Sequence, residues 1–290
     1  MKLIISDNFE AEALEKLKSL GTVVYKPANL KNELIDADVL VVRSATKVTK
    51  ELVDCAPKLK IVARAGVGLD NVDSEYCKKR GIKVVNTPGA STNAVAEITI
   101  GAILSCARNL QKANYQMKKG IWDKKNLTGT EIEGKMLGII GYGRIGGAVG
   151  AKARALGMKT IAYNPPPRHD DGMVIFVESL EEFLQQCDFI TLHCVLTEAT
   201  KKIINKNSIS KMKDGVILVN FARGELVDED SLYEACKSGK IRAAALDVYE
   251  SEPYKGKLLE LENILFTPHI GAATKEAQLK IGDELVKLLG

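Results

Sequence analysis

The sequence predicts an α/β protein of two doubly wound parallel-sheet domains, and three observations carry that prediction. Short β-branched runs alternate with helix-patterned segments along almost the whole chain. In mid-chain the apolar run Met136–Ile140 meets Gly141-Tyr142-Gly143-Arg144-Ile145-Gly146, and an Ala-rich segment of helical periodicity, Ala148–Leu156, follows directly. With 290 residues, 46% of them hydrophobic, the chain can build two domains of ordinary size and fill their cores.

Up to about residue 90 the strand-like runs are Leu3–Ser6, Thr22–Tyr25, Val39–Val42, Ile61–Ala65 and Lys83–Val85, with a helix near Glu10–Leu20. This half has no glycine-rich phosphate fingerprint. It does place an arginine at the end of two strands, Arg43 in VVRSAT and Arg64 in VARAGVG. Carboxyl ends of strands face the ligand crevice in an open parallel sheet, so each guanidinium reads either as a ligand contact or as half of a surface ion pair. Thr92 to about Lys118 reads as one long helical segment with Ser91 or Thr92 as its N-cap, and a loop with the only tryptophan, Trp122, follows. Beyond Met136–Ile140 the expected strands are Lys159–Tyr163, Asp188–Leu192, Val216–Asn220, Arg242–Leu246 and Ile264–Phe266, with a helix at Asp228–Ser238. The last helix, Ala273–Leu289, is expected to pack back on the first domain. The expected domains are then 1–91 with 274–290, and 92–273.

Charge and composition narrow the function classes. A charged content of 27% and a net charge of +4, spread along the chain, leave no electrostatic footprint for nucleic acid or a membrane surface. Six cysteines, Cys55, Cys77, Cys106, Cys187, Cys194 and Cys236, include no CxxC pair, so they read as reduced core residues and no metal site is expected. The N-terminus lacks the apolar core of a signal peptide and no apolar stretch matches a membrane span, so a cytoplasmic protein is expected.

The glycine run is the pattern of a dinucleotide site. Gly141 permits a tight turn, Gly143 lets the backbone approach a pyrophosphate, and Gly146 lets the helix pack close on the strand, its N-terminus toward the phosphates. About 20 residues further on, an acidic residue is expected to hold the adenosine ribose. Asn164 stands there instead, able to hydrogen-bond to a hydroxyl but bearing no charge against the 2′-phosphate of NADP. Arg168 favours that phosphate while Asp170 and Asp171 oppose it, so NAD is expected and NADP stays open.

Hydride transfer at a hydroxyl carbon needs a proton acceptor near neutral pH, usually histidine. Of three histidines, His169 lies in a Pro- and Asp-rich loop, whereas His193 and His269 each follow a strand, and position does not separate these two. Arg223, three residues after Asn220, suits bidentate binding of a substrate carboxylate. Glu252, after the next strand and before Pro253, suits pairing with a histidine, fixing its tautomer and favouring its protonated form.

The segments VVRSATKVT (41–49), RAGVGLDNVD (64–73), NTPGA (86–90), GKMLGIIGYGRIG (134–146), NFARGELVDE (220–229), AALDVYESEP (244–253) and PHIGAATKEAQ (268–278) together resemble the D-isomer-specific 2-hydroxyacid dehydrogenases. The resemblance implies a Rossmann-type nucleotide domain with a flavodoxin-like substrate domain. In it Arg223 binds the substrate carboxylate and polarises the carbonyl, His269 is the proton donor or acceptor, and Glu252 orients His269. Gly141, Gly143, Arg144, Ile145 and Gly146 meet the NAD pyrophosphate, and Asn164 lies by the ribose. Val67, Cys194, Phe221, Ala222, Asp247, Gly271 and Ala272 line the rest, and His193 becomes a wall residue. Arg43 and Arg64 serve as the substrate-phosphate and carboxylate contacts, with Gly66 a further substrate contact. The implied activity is NAD-dependent oxidation of 3-phospho-D-glycerate to 3-phosphohydroxypyruvate, the first step of L-serine biosynthesis, with NADPH-dependent glyoxylate or hydroxypyruvate reduction as the alternative and a non-catalytic NAD(H) sensor behind both. A homodimer through the nucleotide domains, built on the Thr92–Lys118 helix and the Trp122 loop, is also implied. Asn164 departs from the family's usual aspartate and Val195 from its usual proline. The sequence ends at Gly290, and feedback through a C-terminal serine-binding domain like that of many family members is not expected.

Overall fold

The computed structural model describes residues 1–164 and 172–290. The chain divides into two compact units, Met1–Ala94 with Ala272–Gly290, and Val95–Gly271.

In the first unit β1 (Lys2–Ile5), β2 (Thr22–Tyr25), β3 (Val39–Val42), β4 (Ile61–Arg64) and β5 (Lys83–Asn86) form a parallel sheet of order β2-β1-β3-β4-β5. This is the flavodoxin-like order, whose topological switch lies between β1 and β3. β3 reads Val-Leu-Val-Val and is buried at every position, as a central parallel strand covered on both faces must be. Its side chains alternate between two cores: Leu40 and Val42 pack with Ile4, Val62 and Cys77, while Val39 and Val41 pack with Leu3, Ile5 and Ala63.

The second of those cores also receives the last helix, Lys275–Leu289, capped by the Thr274 side chain accepting from the Ala277 amide. Ile281 and Leu285 enter beside Ala13 and Leu17 of the helix Ala11–Lys18. Gly282 makes the close approach possible, because a Cβ there would lie 3.0 Å from the Ala13 Cβ.

In the second unit β6 (Met136–Ile140), β7 (Lys159–Tyr163), β8 (Ile175–Phe176), β9 (Phe189–Leu192), β10 (Val216–Asn220), β11 (Ile241–Leu246) and β12 (Ile264–Phe266) form a parallel sheet of order β12-β11-β10-β9-β6-β7-β8. The strand order runs outward from β6 in one direction and from β9 in the other, so the β6/β9 pair is the switch point where an open sheet receives its ligand. The predicted fold class, two parallel-sheet α/β domains, is the one observed.

Several details differ from the sequence reading. The segment Thr92–Lys118 is two helices, Thr92–Ala107 and Leu110–Lys118, because Asn109 takes a left-handed backbone (φ 54) and its Nδ2 donates to the carbonyls of Leu127 and Thr128. The short β8 carried too few residues to register as a period. Asp228 is the N-cap of the helix Glu229–Ser238 rather than its first residue. Cys77, Cys106, Cys187 and Cys236 are buried, and Cys55 and Cys194 are half-buried. Among the described residues no helix is long and apolar enough to cross a membrane.

Leu285 is fully buried against the first unit's core. Leu285→Ala is expected to cost about 3 kcal/mol of stability, the usual penalty for a truncated core leucine. Urea denaturation followed by circular dichroism checks this, and a loss well under 1 kcal/mol would contradict a docked terminal helix.

Candidate active site

The glycine turn after β6 divides its three positions between closed and open space. Gly141 has φ 97 and a Cβ there would fall 2.2 Å from the Cys194 amide nitrogen, so the turn packs against the loop that leaves β9. At Gly146 a Cβ would lie 2.3 Å from the Gly141 carbonyl oxygen, so the helix Arg144–Ala155 starts hard against the turn. At Gly143, the N-cap of that helix, a Cβ would meet nothing within 4 Å. The two closed glycines shape a cradle and the open one leaves room for an anion at a helix N-terminus, an arrangement that fits a dinucleotide pyrophosphate. Arg144 and Ile145 are the first residues of the helix.

Asn164 follows β7, and its Oδ1 accepts the Tyr142 amide at 3.1 Å. A backbone N–H requires an acceptor, so this bond assigns the amide: Oδ1 is committed to the glycine turn and Nδ2 is what remains for a ribose. Arg168, His169, Asp170 and Asp171 lie outside the described residues.

The other candidates stand at the ends of β10, β11 and β12, which are neighbours in the sheet. Asn220 is buried at the end of β10, where its Oδ1 accepts the Ala222 amide and its Nδ2 donates to the Arg223 carbonyl at 2.8 Å. It thereby folds the Phe221–Arg223 turn. The Arg223 Nη1 donates to the Ala222 carbonyl at 2.5 Å. Gly224 has to be glycine, since a Cβ would strike the Tyr249 carbonyl carbon at 1.9 Å.

After β11, Asp247 is only 1% exposed. A buried carboxylate is tolerable only with its oxygens satisfied, and Asp247 collects three donors. The Thr267 hydroxyl (2.6 Å) and Ile270 amide (2.8 Å) reach Oδ1, and the Gly271 amide reaches Oδ2 at 2.8 Å. The His269 amide adds a bond to the Asp247 carbonyl at 2.9 Å. The whole loop after β12 is therefore tied to the end of β11. The Tyr249 hydroxyl adds a second tie, 2.8 Å from the Thr267 carbonyl, and burial with the nearby Asp247 charge pushes its pKa up to about 12, so it stays a donor.

These ties bring Glu252 and His269 together. His269 Nδ1 is 2.8 Å from Glu252 Oε2, and Glu252 Oε1 accepts the Tyr249 amide at 3.3 Å. With Nδ1 donating to the carboxylate, Nε2 is the free basic atom, and the pair is partly open at 37% and 38% exposure. His193 is built differently. Its Nε2 lies 2.9 Å from the Thr191 hydroxyl, its Nδ1 is buried without a hydrogen-bond partner, and burial pushes its pKa down to about 3. The two histidines that sequence position left tied are thus separated by what each ring touches. Cys194 is a poor nucleophile, because burial pushes its thiol up to about 11.

In the first unit Arg43 follows β3 and Arg64 is the last residue of the adjacent strand β4. The Arg64 guanidinium lies over Gly66 (φ 147), where a Cβ would fall 1.4 Å from Nη1. Arg43 Nη1 donates to the Asn8 carbonyl at 2.9 Å. The Val67 carbonyl accepts the Asn86 side chain at 2.6 Å, and the Ala272 carbonyl accepts the Gln278 side chain at 3.1 Å. The sequence reading placed Asp247 among lining residues and passed over Asn220, Tyr249 and Thr267. What could have found them is the recurrence of polar residues within three positions of successive strand ends.

Residues 100–271 match the family described as D-isomer specific 2-hydroxyacid dehydrogenase, NAD binding domain. A hydroxypyruvate reductase of Thermotoga maritima is 49% identical, covering 98% of this chain and 95% of its own. A D-3-phosphoglycerate dehydrogenase of Methanocaldococcus jannaschii is 48% identical over 97% of this chain but 55% of its own, so the chain spans about half of that relative. The structure of a D-lactate dehydrogenase from Aquifex aeolicus, complexed with NAD and lactic acid, matches at TM-score 0.87 and 32% identity over 99% of this chain and 94% of the other. The chain belongs to the D-isomer specific 2-hydroxyacid dehydrogenase family, and residues 100–271 are its NAD-binding domain.

The state of His193 is measurable. Its ordinary pKa of 6.5 applies to the unfolded chain and about 3 to the folded one, so the unfolded state binds more protons in between. The stabilising contribution is complete above pH 6.5 and is lost as pH falls toward 3. An NMR titration is expected to find this ring still neutral at about pH 5; a ring titrating at its ordinary value would show a solvated site.

Proposed function

We propose that the protein oxidises 3-phospho-D-glycerate to 3-phosphohydroxypyruvate with NAD, the first step of L-serine biosynthesis. The observation that carries this reading is the 2.8 Å Glu252–His269 pair with Arg223 two strands away in the same sheet. Arg223 would take the substrate carboxylate in a bidentate pair and withdraw charge from the forming carbonyl. The hydroxyl proton passes to His269 Nε2 as the C2 hydride leaves, and Glu252 holds the imidazolium that results. Bound NAD supplies the hydride acceptor, held by the Gly141–Gly146 turn with Asn164 at the ribose. Val67, Cys194, Phe221, Ala222, Asp247, Gly271 and Ala272 are proposed as the remaining contacts.

Arg43 and Arg64, at the ends of adjacent strands, supply the positive charge that a phosphorylated acid requires, and we assign residues 1–91 and 274–290 as the substrate-binding domain. Sequence likeness to D-3-phosphoglycerate dehydrogenases supports that choice. A second reading, reduction of hydroxypyruvate, is favoured by the 49% identity to a reductase that this chain covers almost end to end.

We also propose a homodimer. Tyr115, Met117, Ile121 and Trp122 are all exposed, Trp122 to 80%, and Met117, Ile121 and Trp122 line a cavity of about 540 Å³ together with Leu127 and Gly129. An apolar patch of this kind on a water-exposed helix and loop fits a self-complementary contact.

Turnover of 3-phosphoglycerate with NAD, compared with hydroxypyruvate with NADPH, is expected to favour the first, and activity in the second assay alone would overturn the assignment. Arg223→Ala is expected to lower kcat/KM by roughly 10³-fold, and His269→Ala to lower kcat by roughly 10²- to 10⁴-fold. Near-normal turnover in either variant would refute its role. Trp122→Lys is expected to shift the sedimentation coefficient from dimer to monomer.

A further inference from the structure

The first unit carries an anchoring device that the proposed reaction scheme does not use. Asp7, two residues past β1, is 6% exposed, and its carboxylate turns toward the loop after β3, its neighbour across the switch point. Oδ2 accepts the Arg43 amide at 2.6 Å and the Thr46 amide at 3.2 Å, and Oδ1 accepts the Thr46 hydroxyl at 2.5 Å. From the other side Asn71, past β4, donates both hydrogens of Nδ2, one to the Arg43 carbonyl and one to the Thr46 carbonyl, each at 2.7 Å. The turn Arg43-Ser44-Ala45-Thr46 is thus gripped at both ends, through its amides by Asp7 and its carbonyls by Asn71. Ser44 and Ala45 are left exposed at the tip.

A surface turn of four residues has little reason to be held by five side-chain bonds unless its shape is used. Free, such a turn samples many backbone states, and ordering each residue costs conformational entropy. Gripped in advance, it presents Arg43 without that cost at the moment of binding. The grip is also located where an open α/β sheet binds ligands, outside the carboxyl ends of the strands flanking the switch.

We propose that Asp7 and Asn71 are positioning residues that hold the Arg43 turn in the form that receives the phosphate of the substrate. This rests on the reading of Arg43 as a phosphate contact. The phosphate is remote from the reacting carbon and is held alike before and during hydride transfer, so loss of the grip should raise KM and leave kcat nearly unchanged. Geometry rather than charge is at work. An asparagine at position 7 keeps an oxygen for the two amides, whereas alanine keeps nothing.

The test compares reduction of 3-phosphohydroxypyruvate and of hydroxypyruvate, which differ only by the phosphate, with NADH fluorescence on binding reporting that each variant is folded. Asp7→Ala and Asn71→Ala are each expected to raise KM for the phosphorylated acid about tenfold or more, with kcat within about twofold and KM for hydroxypyruvate unchanged; Asp7→Asn restores the wild-type KM. If Asp7→Ala does not fold, Asn71→Ala carries the same test. Arg43→Ala separates the two layers of inference. Should it leave the phosphate discrimination intact, the phosphate reading of Arg43 fails and the positioning role falls with it. Should it abolish discrimination while Asp7→Ala and Asn71→Ala do not, or should those two raise KM equally for both acids, the positioning role alone is overturned.

Discussion

The carboxylate of Asp247 is the contact on which the Glu252–His269 pair depends. Burying an ionised carboxylate is costly, and the cost is tolerable here because the Thr267 hydroxyl and the amides of Ile270 and Gly271 all converge on it. Those three donors come from one loop, so satisfying the charge and shaping the loop are the same event. His269 sits inside that loop with φ 53, a left-handed conformation that costs a non-glycine residue roughly 1–2 kcal/mol. Such strain persists only where the surroundings over-determine it, and the Asp247 carbonyl, accepting the His269 amide, completes that determination.

The same device occurs in both units. Asp7 follows β1 and collects the turn after β3; Asp247 follows β11 and collects the loop after β12. In each case a buried aspartate just past one parallel strand takes amides from the exit of the strand beside it. Parallel strands make this possible, since all their carboxyl ends emerge on one edge and adjacent exits lie within reach of a short side chain. In the second unit the device holds the loop of the Glu252–His269 pair, and in the first it holds the Arg43 turn, so both strand exits draw on one structural solution. The glycine turn serves the same edge by subtraction: Gly141 and Gly146 let backbone pack where no side chain fits, and Gly143 leaves space open.

Much of the fold was legible in the sequence because its signals are local. Val39–Val42 announces a buried strand by being wholly apolar, and Met136–Gly146 announces strand, turn and helix by composition alone. The break at Asn109 was not legible, since the bonds that make it go to Leu127 and Thr128, almost twenty residues on. The two histidines were indistinguishable for the same reason. Glu252 lies seventeen residues before His269, and nothing between them states that two strand exits meet. Asp247 was visible as a residue near the ligand edge, but its role as an anchor emerges only when the donors of a second loop are brought to it.

Sequence by itself determined that this chain forms parallel sheets, where the glycine turn between strand and helix lies and which side chains stand at strand ends, because periodicity, glycine placement and strand termini are set by neighbouring residues. Tertiary structure decided which strand ends adjoin, and with that the Glu252–His269 pairing, the Asp247 and Asp7 anchors, and the commitment of the Asn164 oxygen to the Tyr142 amide. The physical reason is that a hydrogen bond acts over about 3 Å. Groups far apart along the chain come within that range only after the sheet has set the order of its strands.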